Sequence, residues 1–370
     1  MKKNTKDDLE VILEEEKKYS QEIKDFERYW YLGHRFQYNS FAGYTNATFK
    51  SKTLNISKQG FREKEIQTKN ISSTRRVALF GPSGLMGIPV ANDKNNISSF
   101  SNQYFKNHFL NYESLNFGVI AARIGNELKL IHKSLIEFDI DCVVLMSGFN
   151  DASSYTLGSL WEFDDISEIH NKGFDVNKHL NKPSFFLKNF WTSILRKKEI
   201  FNATRMAKKN FRGAEKYFRS KRAKKIDNHI SIPLYLEGKK IYLSMLNQII
   251  SMCNYMNKPF IFVMQPTLFT TKKPLSAYEL SSYNKQNNFF GQEEEIKNFR
   301  IEKFKEFYED FGNECNNFVL SKKSKIIKIE DKFSELTDKE NIFYDESHYF
   351  ELGNQIIGEE ISKLISMDSK

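Results

Sequence analysis

Five short, almost uninterrupted apolar runs punctuate the chain, and each ends on small or polar residues. Arg76-Val-Ala-Leu-Phe80 runs into Gly81-Pro-Ser-Gly84, and Glu113-Ser-Leu-Asn-Phe117 ends at Gly118. Asp141-Cys-Val-Val-Leu-Met146 ends at Ser147-Gly148, Pro259-Phe-Ile-Phe-Val-Met264 at Gln265-Pro266, and Lys325-Ile-Ile-Lys-Ile329 at Glu330-Asp331. Runs of four to eight apolar residues closed by turn residues read as strands buried on both faces. Between them, apolar positions recur at helical spacing over Ala121–Phe138, Lys239–Met256 and Glu293–Leu320. Strands alternating with helices predict an α/β protein, a three-layer α/β/α sandwich around a five-stranded parallel sheet. In such a sheet the site lies beyond the carboxyl ends of the strands. Here those ends carry Ser83, Gly118, Asn150 and Gln265.

The rest of the pattern sets the domain plan. Residues 1–70 form an N-terminal helix and an irregular arm. The helix carries Leu9, Ile12, Leu13 and Ile23 among charges and reads as a solvated helix or an oligomer contact. Residues 71–370 form the sheet domain, interrupted by an insertion at 152–235 and by a polar stretch at 271–292 that reads as a loop. No internal repeat is present.

Composition narrows the class. With 370 residues, 40% hydrophobic content and 33 Phe, the chain can bury a large core, and disordered or fibrous classes are excluded. Three scattered cysteines, Cys142, Cys253 and Cys315, make neither a disulfide framework nor a zinc site and fit a reducing compartment. The first 30 residues are charged throughout, and the apolar runs are far shorter than the roughly 20 residues a spanning helix needs. The expected location is therefore cytoplasmic, with no transmembrane segment.

Charge changes the picture in one place. The net charge is +9, but Arg196–Lys225 alone holds 13 Lys or Arg against two acids, a local +11. The remainder sums to −2, so this is a near-neutral protein carrying one basic segment. That segment reads as a solvated helical face, or as a docking site for an acidic glycan, a nucleotide-sugar or an anionic membrane surface. No recognised binding motif accompanies the charge, which argues against nucleic acid.

Four elements stand in order along the chain: Gly81-Pro-Ser83-Gly, Asn116-Phe-Gly118, Gly148-Phe-Asn150-Asp151 and Asp345-Glu-Ser-His348. Acyl transfer needs a nucleophile, a base, a group that orients the base, and donors for the oxyanion. Ser83, at a strand-to-helix turn, His348, and Asp345 one turn before it supply the first three. Together the four elements resemble the SGNH hydrolases, the branch of GDSL-type serine esterases named for Ser, Gly, Asn and His. The resemblance covers residues 76–366 apart from the insertions. Asn55-Ile-Ser-Lys-Gln-Gly60-Phe61-Arg62, Met264-Gln265-Pro266 and Lys273-Pro-Leu-Ser-Ala-Tyr-Glu279 are similar to segments of bacterial, polysaccharide-modifying members.

The resemblance implies a flavodoxin-like strand order and a Ser83-His348-Asp345 triad. It also implies an oxyanion hole made of the Ser83 N–H, the Gly118 N–H and the Asn150 side chain, with Arg62 and Gln265 as candidate substrate-binding residues. The implied substrate is a small-molecule or glycan ester, an acetyl ester of a bacterial sugar or polysaccharide precursor, and no metal or organic cofactor is implied. Hydrolysis, acyl transfer by the same triad, and a non-catalytic binding module on the same scaffold remain open. Pro82 departs from the namesake motif, which has Asp there; proline lacks an N–H, but the donor the oxyanion needs belongs to Ser83.

Rival motifs fit less well. Gly81-x-x-Gly84-x-x-Gly87 with Tyr217-x-x-x-Lys221 mimics a short-chain dehydrogenase, but the second strand ends in Asn116-Phe-Gly118 instead of an acid for the ribose. An α/β-hydrolase elbow fails at Leu85, and a Walker loop fails because Ile88-Pro89 follows Gly87.

Overall fold

Arg75–Gly81 forms an inner strand of the main sheet because its apolar residues can be covered on both faces, and all of them are buried. In the computed structural model it is β5, following four short strands of the arm that pair as two hairpins: β1 (Phe36–Asn39) with β2 (Gly43–Asn46), and β3 (Phe49–Lys50) with β4 (Asn55–Ile56). The structure describes residues 5–32, 36–62, 64–70, 72–156, 232–286, 294–315 and 324–367. β6 (Tyr112–Gly118), β7 (Cys142–Ser147), β8 (Phe260–Met264) and β9 (Ser324–Lys328) complete the main sheet, in the order β6-β5-β7-β8-β9. Every neighbouring pair is parallel, with Gly81 opposite Gly118, Phe80 opposite Leu145 and Ser147 opposite Met264.

The chain runs from β5 to β6 on one side, then returns to place β7 on the other. This is the flavodoxin-like order expected from the sequence, and it opens a crevice at the carboxyl end of β5. Helices close both faces. On one, Val77, Leu79, Val144 and Val263 pack with Ile97 of α4 (Ile97–Asn107) and with Ile357, Ile361 and Ile365 of the C-terminal helix Glu351–Met367. On the other, Phe80 stacks on Phe117, while Phe262 meets Phe311, which in turn meets Tyr242. Phe311 and Tyr242 belong to helices Glu294–Cys315 and Ile232–Tyr255. Fully burying each such side chain is worth about 1.5–3 kcal/mol, so the two helical layers hold the sheet.

By its contacts the chain divides into two units, one made of Met1–Ser153 with Leu236–Lys370 and the other of Ser154–Tyr235. The second lies almost wholly outside the described residues, as does the basic segment Arg196–Lys225.

Two expectations are corrected. The N-terminal residues form α1 (Thr5–Lys18) and α2 (Ser20–Leu32), and their apolar face is docked instead of solvated. Ile12 is only 4% exposed, against Val90, Tyr278 and Phe350. Tyr29 packs with Leu54, Ile56, Met86 and Ile120. The stretch 271–292 is also not a plain loop, since Ala277–Gln286 is a helix, opened by a Ser276-x-x-Glu279 capping box. Among the described residues, no helix is long and apolar enough to cross a membrane.

Candidate active site

The position of Ser83 is set by how β5 ends. Gly81 has no room for a side chain, because a Cβ there would lie 2.4 Å from the Met146 carbonyl oxygen. Pro82 is extended, and Ser83–Met86 makes a single helical turn, α3, closed by Gly87 in the left-handed region at φ 82°. The Gly87 N–H bonds the Ser83 carbonyl at 3.0 Å, fixing the turn on which the serine stands. As the first residue of that turn, Ser83 has an N–H with no acceptor within the helix.

Asp345 and His348 come from a distant part of the chain. Residues 342–350 form a tight turn in which Phe343 bridges Tyr349, the Tyr344 N–H donates to the His348 carbonyl at 2.9 Å, and the Phe350 N–H donates to that of Ile342. Within it the Asp345 carboxylate accepts the N–H groups of Ser347 and His348, both at 3.0 Å. His348 Nδ1 lies 2.7 and 2.8 Å from the two Asp345 oxygens, and His348 Nε2 lies 2.8 Å from Ser83 Oγ. The structure thus brings the three residues into one hydrogen-bonded line. The two ring nitrogens have their roles fixed by this line: Nδ1 donates to the carboxylate, so Nε2 is the acceptor for the hydroxyl proton.

Electrostatics sharpen the arrangement. The His348 and Asp345 side chains are 18% and 17% exposed. Burial pushes the Asp345 carboxyl up, but the His348 charge and the hydrogen bonds it accepts outweigh this and hold it below its ordinary value. Burial likewise pulls the His348 imidazole down, yet the Asp345 carboxylate, with help from Glu346, holds it above its ordinary value. The charged form of His348 is therefore stabilised by Asp345.

The remaining expected site residues fall differently. Asn150 stands in the first turn of helix Phe149–Thr156, directly after β7, and its amide donates to the Ala122 carbonyl at 2.8 Å. One amide hydrogen is left for another acceptor. Gly118 is a correction: its N–H donates to Asn116 Oδ1 at 2.9 Å, so that donor is committed inside the strand end. The glycine is needed there for a different reason, since a Cβ would lie 2.7 Å from the Met86 nitrogen. Three residues on, Ala121 is exposed with φ 57°.

Arg62 is also a correction. Its side chain is fully buried, and all five N–H donors are committed: Nε to Asp93, one terminal nitrogen to the carbonyls of Met86 and Gly87, the other to those of Thr53 and Ala91. It holds the far end of the Ser83 turn instead of reaching substrate. Gln265 is buried, and its amide donates to the Ser347 carbonyl at 3.1 Å, behind the histidine. It braces the base. Gly84 allows this approach, because a Cβ there would lie 2.7 Å from the Ser347 carbonyl oxygen.

Asn46 went unnoticed in the sequence. Its buried amide donates to the carbonyls of Gly60 and Gly118, and its oxygen accepts the Ile120 N–H, tying the arm to the loop after β6. No motif signals it. Among the described residues no group of three or more His, Cys, Asp or Glu is arranged to hold a metal. The glycine run after β5 leads into a four-residue turn, too short to present a helix N-terminus to a dinucleotide pyrophosphate.

No family model matches the chain, and neither does any curated protein sequence. Among solved structures, the chain is similar to an acetyl xylan esterase at 10% identity, covering 78% of this chain and 99% of that one, with a TM-score of 0.39. It is similar to a GDSL-like lipase from Bacteroides thetaiotaomicron VPI-5482 at 9% identity, covering 80% and 89%, with a TM-score of 0.39. It is also similar to a variant of an acetyl xylan esterase from Geobacillus stearothermophilus at 10% identity, covering 80% and 96%, with the same TM-score.

Proposed function

We propose that the protein is a serine ester hydrolase of SGNH type, acting on an acyl ester, an acetyl group on a sugar or polysaccharide precursor. The observation that carries this reading is the 2.8 Å separation of Ser83 Oγ and His348 Nε2, with His348 in turn oriented by Asp345. His348 Nε2 takes the hydroxyl proton as Ser83 Oγ forms a bond to the ester carbonyl carbon. The carbonyl oxygen becomes an oxyanion, and the Ser83 N–H and the Asn150 amide are the donors available to it. The carbon–oxygen bond to the alcohol breaks, and the proton on His348 goes to the leaving oxygen. A water molecule, deprotonated by His348, then attacks the acyl-enzyme, releases the carboxylic acid and restores Ser83.

A binding module on a disabled scaffold is disfavoured, because it would leave the serine beyond hydrogen-bond reach of the histidine. The thiols of Cys142 and Cys253 are buried, and burial pushes Cys253 up to about 12, so neither of these two offers a competing nucleophile.

Intact mass after treatment with a fluorophosphonate tests the reading. Wild type is expected to gain one adduct and folded Ser83→Ala none. A folded wild type that gains no adduct refutes it.

A further inference from the structure

The segment Lys273-Pro-Leu-Ser-Ala-Tyr-Glu279 is not used by the chemistry above, yet it is built at high cost. Lys273 and Glu279 are both 0% exposed and meet at 2.6 Å, with Lys273 Nζ also donating to the Pro274 carbonyl at 2.8 Å. A buried ion pair often contributes less than apolar side chains of the same volume would. A helix cap does not require one, since a capping box works at the surface. The pair therefore serves something an apolar pair could not.

Glu279 shows what that is. One carboxylate oxygen completes the capping box by accepting the Ser276 N–H at 3.0 Å. The other accepts the N–H groups of Ile342 and Phe343, at 2.8 and 3.0 Å. Those two peptides open the turn that carries Asp345 and His348, and buried N–H groups need an acceptor. The same helix, Ala277–Gln286, grips the turn a second time: the Tyr278 hydroxyl and the Ser282 hydroxyl both donate to the Tyr344 carbonyl, at 3.0 and 3.3 Å. The turn is thus held by a carboxylate at the Ile342 and Phe343 N–H groups, and by two hydroxyls at the peptide immediately before Asp345.

We infer that Glu279, charge-balanced by Lys273, is a positioning residue that sets the register of the Asp345–His348 pair against Ser83, with Tyr278 and Ser282 as its second anchor. The inference rests on the hydrolase reading, and it names the function of a segment that touches neither substrate nor reacting atoms. The charges acting on His348 are Asp345 and Glu346, and the charge facing Glu279 is Lys273.

The test compares two double variants that each remove the buried charges. Lys273→Met with Glu279→Gln keeps an acceptor oxygen for the Ile342 and Phe343 N–H groups. Lys273→Met with Glu279→Leu removes it. Two readouts are taken on folded protein: the rate of fluorophosphonate labelling, and the titration of His348 followed by NMR.

The leucine variant is expected to label about ten-fold or more slowly, since small misplacements in such sites are costly. Its His348 is expected to titrate at lower pH than in wild type, because the carboxylate no longer sits squarely on Nδ1. The glutamine variant is expected to stay within about three-fold of wild type, as a conservative rescue. If the leucine variant does not fold, Tyr278→Phe with Ser282→Ala frees only the Tyr344 carbonyl and must shift both readouts in the same direction. A folded leucine variant with the wild-type rate and wild-type His348 titration overturns the inference. Absence of any adduct on wild type overturns the hydrolase reading instead, and the NMR titration then decides the positioning role alone.

Discussion

Replacing Arg62 with alanine tests whether the arm, outside the sheet, holds the nucleophile in place. The guanidinium serves four backbone carbonyls, those of Thr53, Met86, Gly87 and Ala91, at 2.6 to 3.0 Å, plus the Asp93 carboxylate. Asp93 is 34% exposed and can turn to water, so its loss counts for little. The carbonyls are enclosed. A buried carbonyl left without a donor costs about 1–3 kcal/mol, so four at the low end give about 4 kcal/mol. That is a large share of the roughly 5–15 kcal/mol by which domains are stable. Arg62→Lys keeps the charge but offers three donors on one nitrogen, and about half the loss should return. Urea unfolding followed by circular dichroism measures both. Because the Met86 and Gly87 carbonyls close the turn that begins at Ser83, fluorophosphonate labelling should also slow in the protein that remains folded. A loss below about 1 kcal/mol in Arg62→Ala would refute the reasoning, since it would mean that water replaces the guanidinium at no cost.

Other consequences are open to direct measurement. Labelling of Ser83 requires neutral His348, so its rate should rise with pH through an inflection above the ordinary histidine value of 6.5. Asp345→Asn should move that inflection below 6.5, because burial remains while the carboxylate that opposed it is gone, and should slow labelling by about 10⁴-fold. An unmoved inflection would show that Asp345 does not act on the imidazole. The same pair links stability to pH. The raised histidine stabilises the fold below its ordinary value and ceases to as pH rises past the raised one, while the lowered Asp345 stabilises above the ordinary aspartate value and ceases to as pH falls. The urea midpoint of wild type minus that of Asp345→Asn should therefore be greatest at mildly acidic pH. Ala121, at φ 57°, stands where a Cβ is strained. Ala121→Gly should raise stability by about 0.5–1 kcal/mol in thermal unfolding, and a fall would show that the turn gains nothing from a glycine.

The sheet was legible because burial on both faces favours apolar residues in a strand. β5, β7 and β8 are short, mostly apolar runs whose turn residues mark the carboxyl end, while the outer strands β6 and β9 carry polar residues as well. The alignment of Asp345 with His348 was legible for a related reason, since three residues span one tight turn and local geometry alone brings the side chains together. What could not be read are contacts made to backbone. Arg62 takes its partners from four carbonyls scattered over Thr53 to Ala91, and a carbonyl has no sequence signature. Gln265 and Asn46 bond peptide groups in the same way. Gly118 misled because its neighbour two residues earlier, Asn116, lies on the same strand face and reaches its N–H first. The helix Ala277–Gln286 did carry a readable signal in Ser276-x-x-Glu279, but its polar composition masked it.

These backbone contacts share a logic. A serine hydrolase needs its nucleophile and base on loops, where side chains are exposed, yet held to within a fraction of an ångström. Apolar packing cannot fix an exposed loop so finely, because it is not directional and needs burial. Directional bonds to peptide groups can. Here each loop receives them from a segment outside the sheet: Arg62 and Asn46 from the arm to the turns at Met86–Gly87 and Gly118–Ile120, Glu279 and Tyr278 from one helix to the turn at Ile342–Tyr344, and Gln265 to Ser347. The arm is thereby tied by hydrogen bonds to the turns around Ser83 and after β6. Most of these donors and acceptors are buried, so loosening one leaves a polar group without a partner. Misplacement of the triad and loss of stability should accordingly appear together at the arm, where Arg62 supports both, and separate at Ala121, where only backbone strain changes.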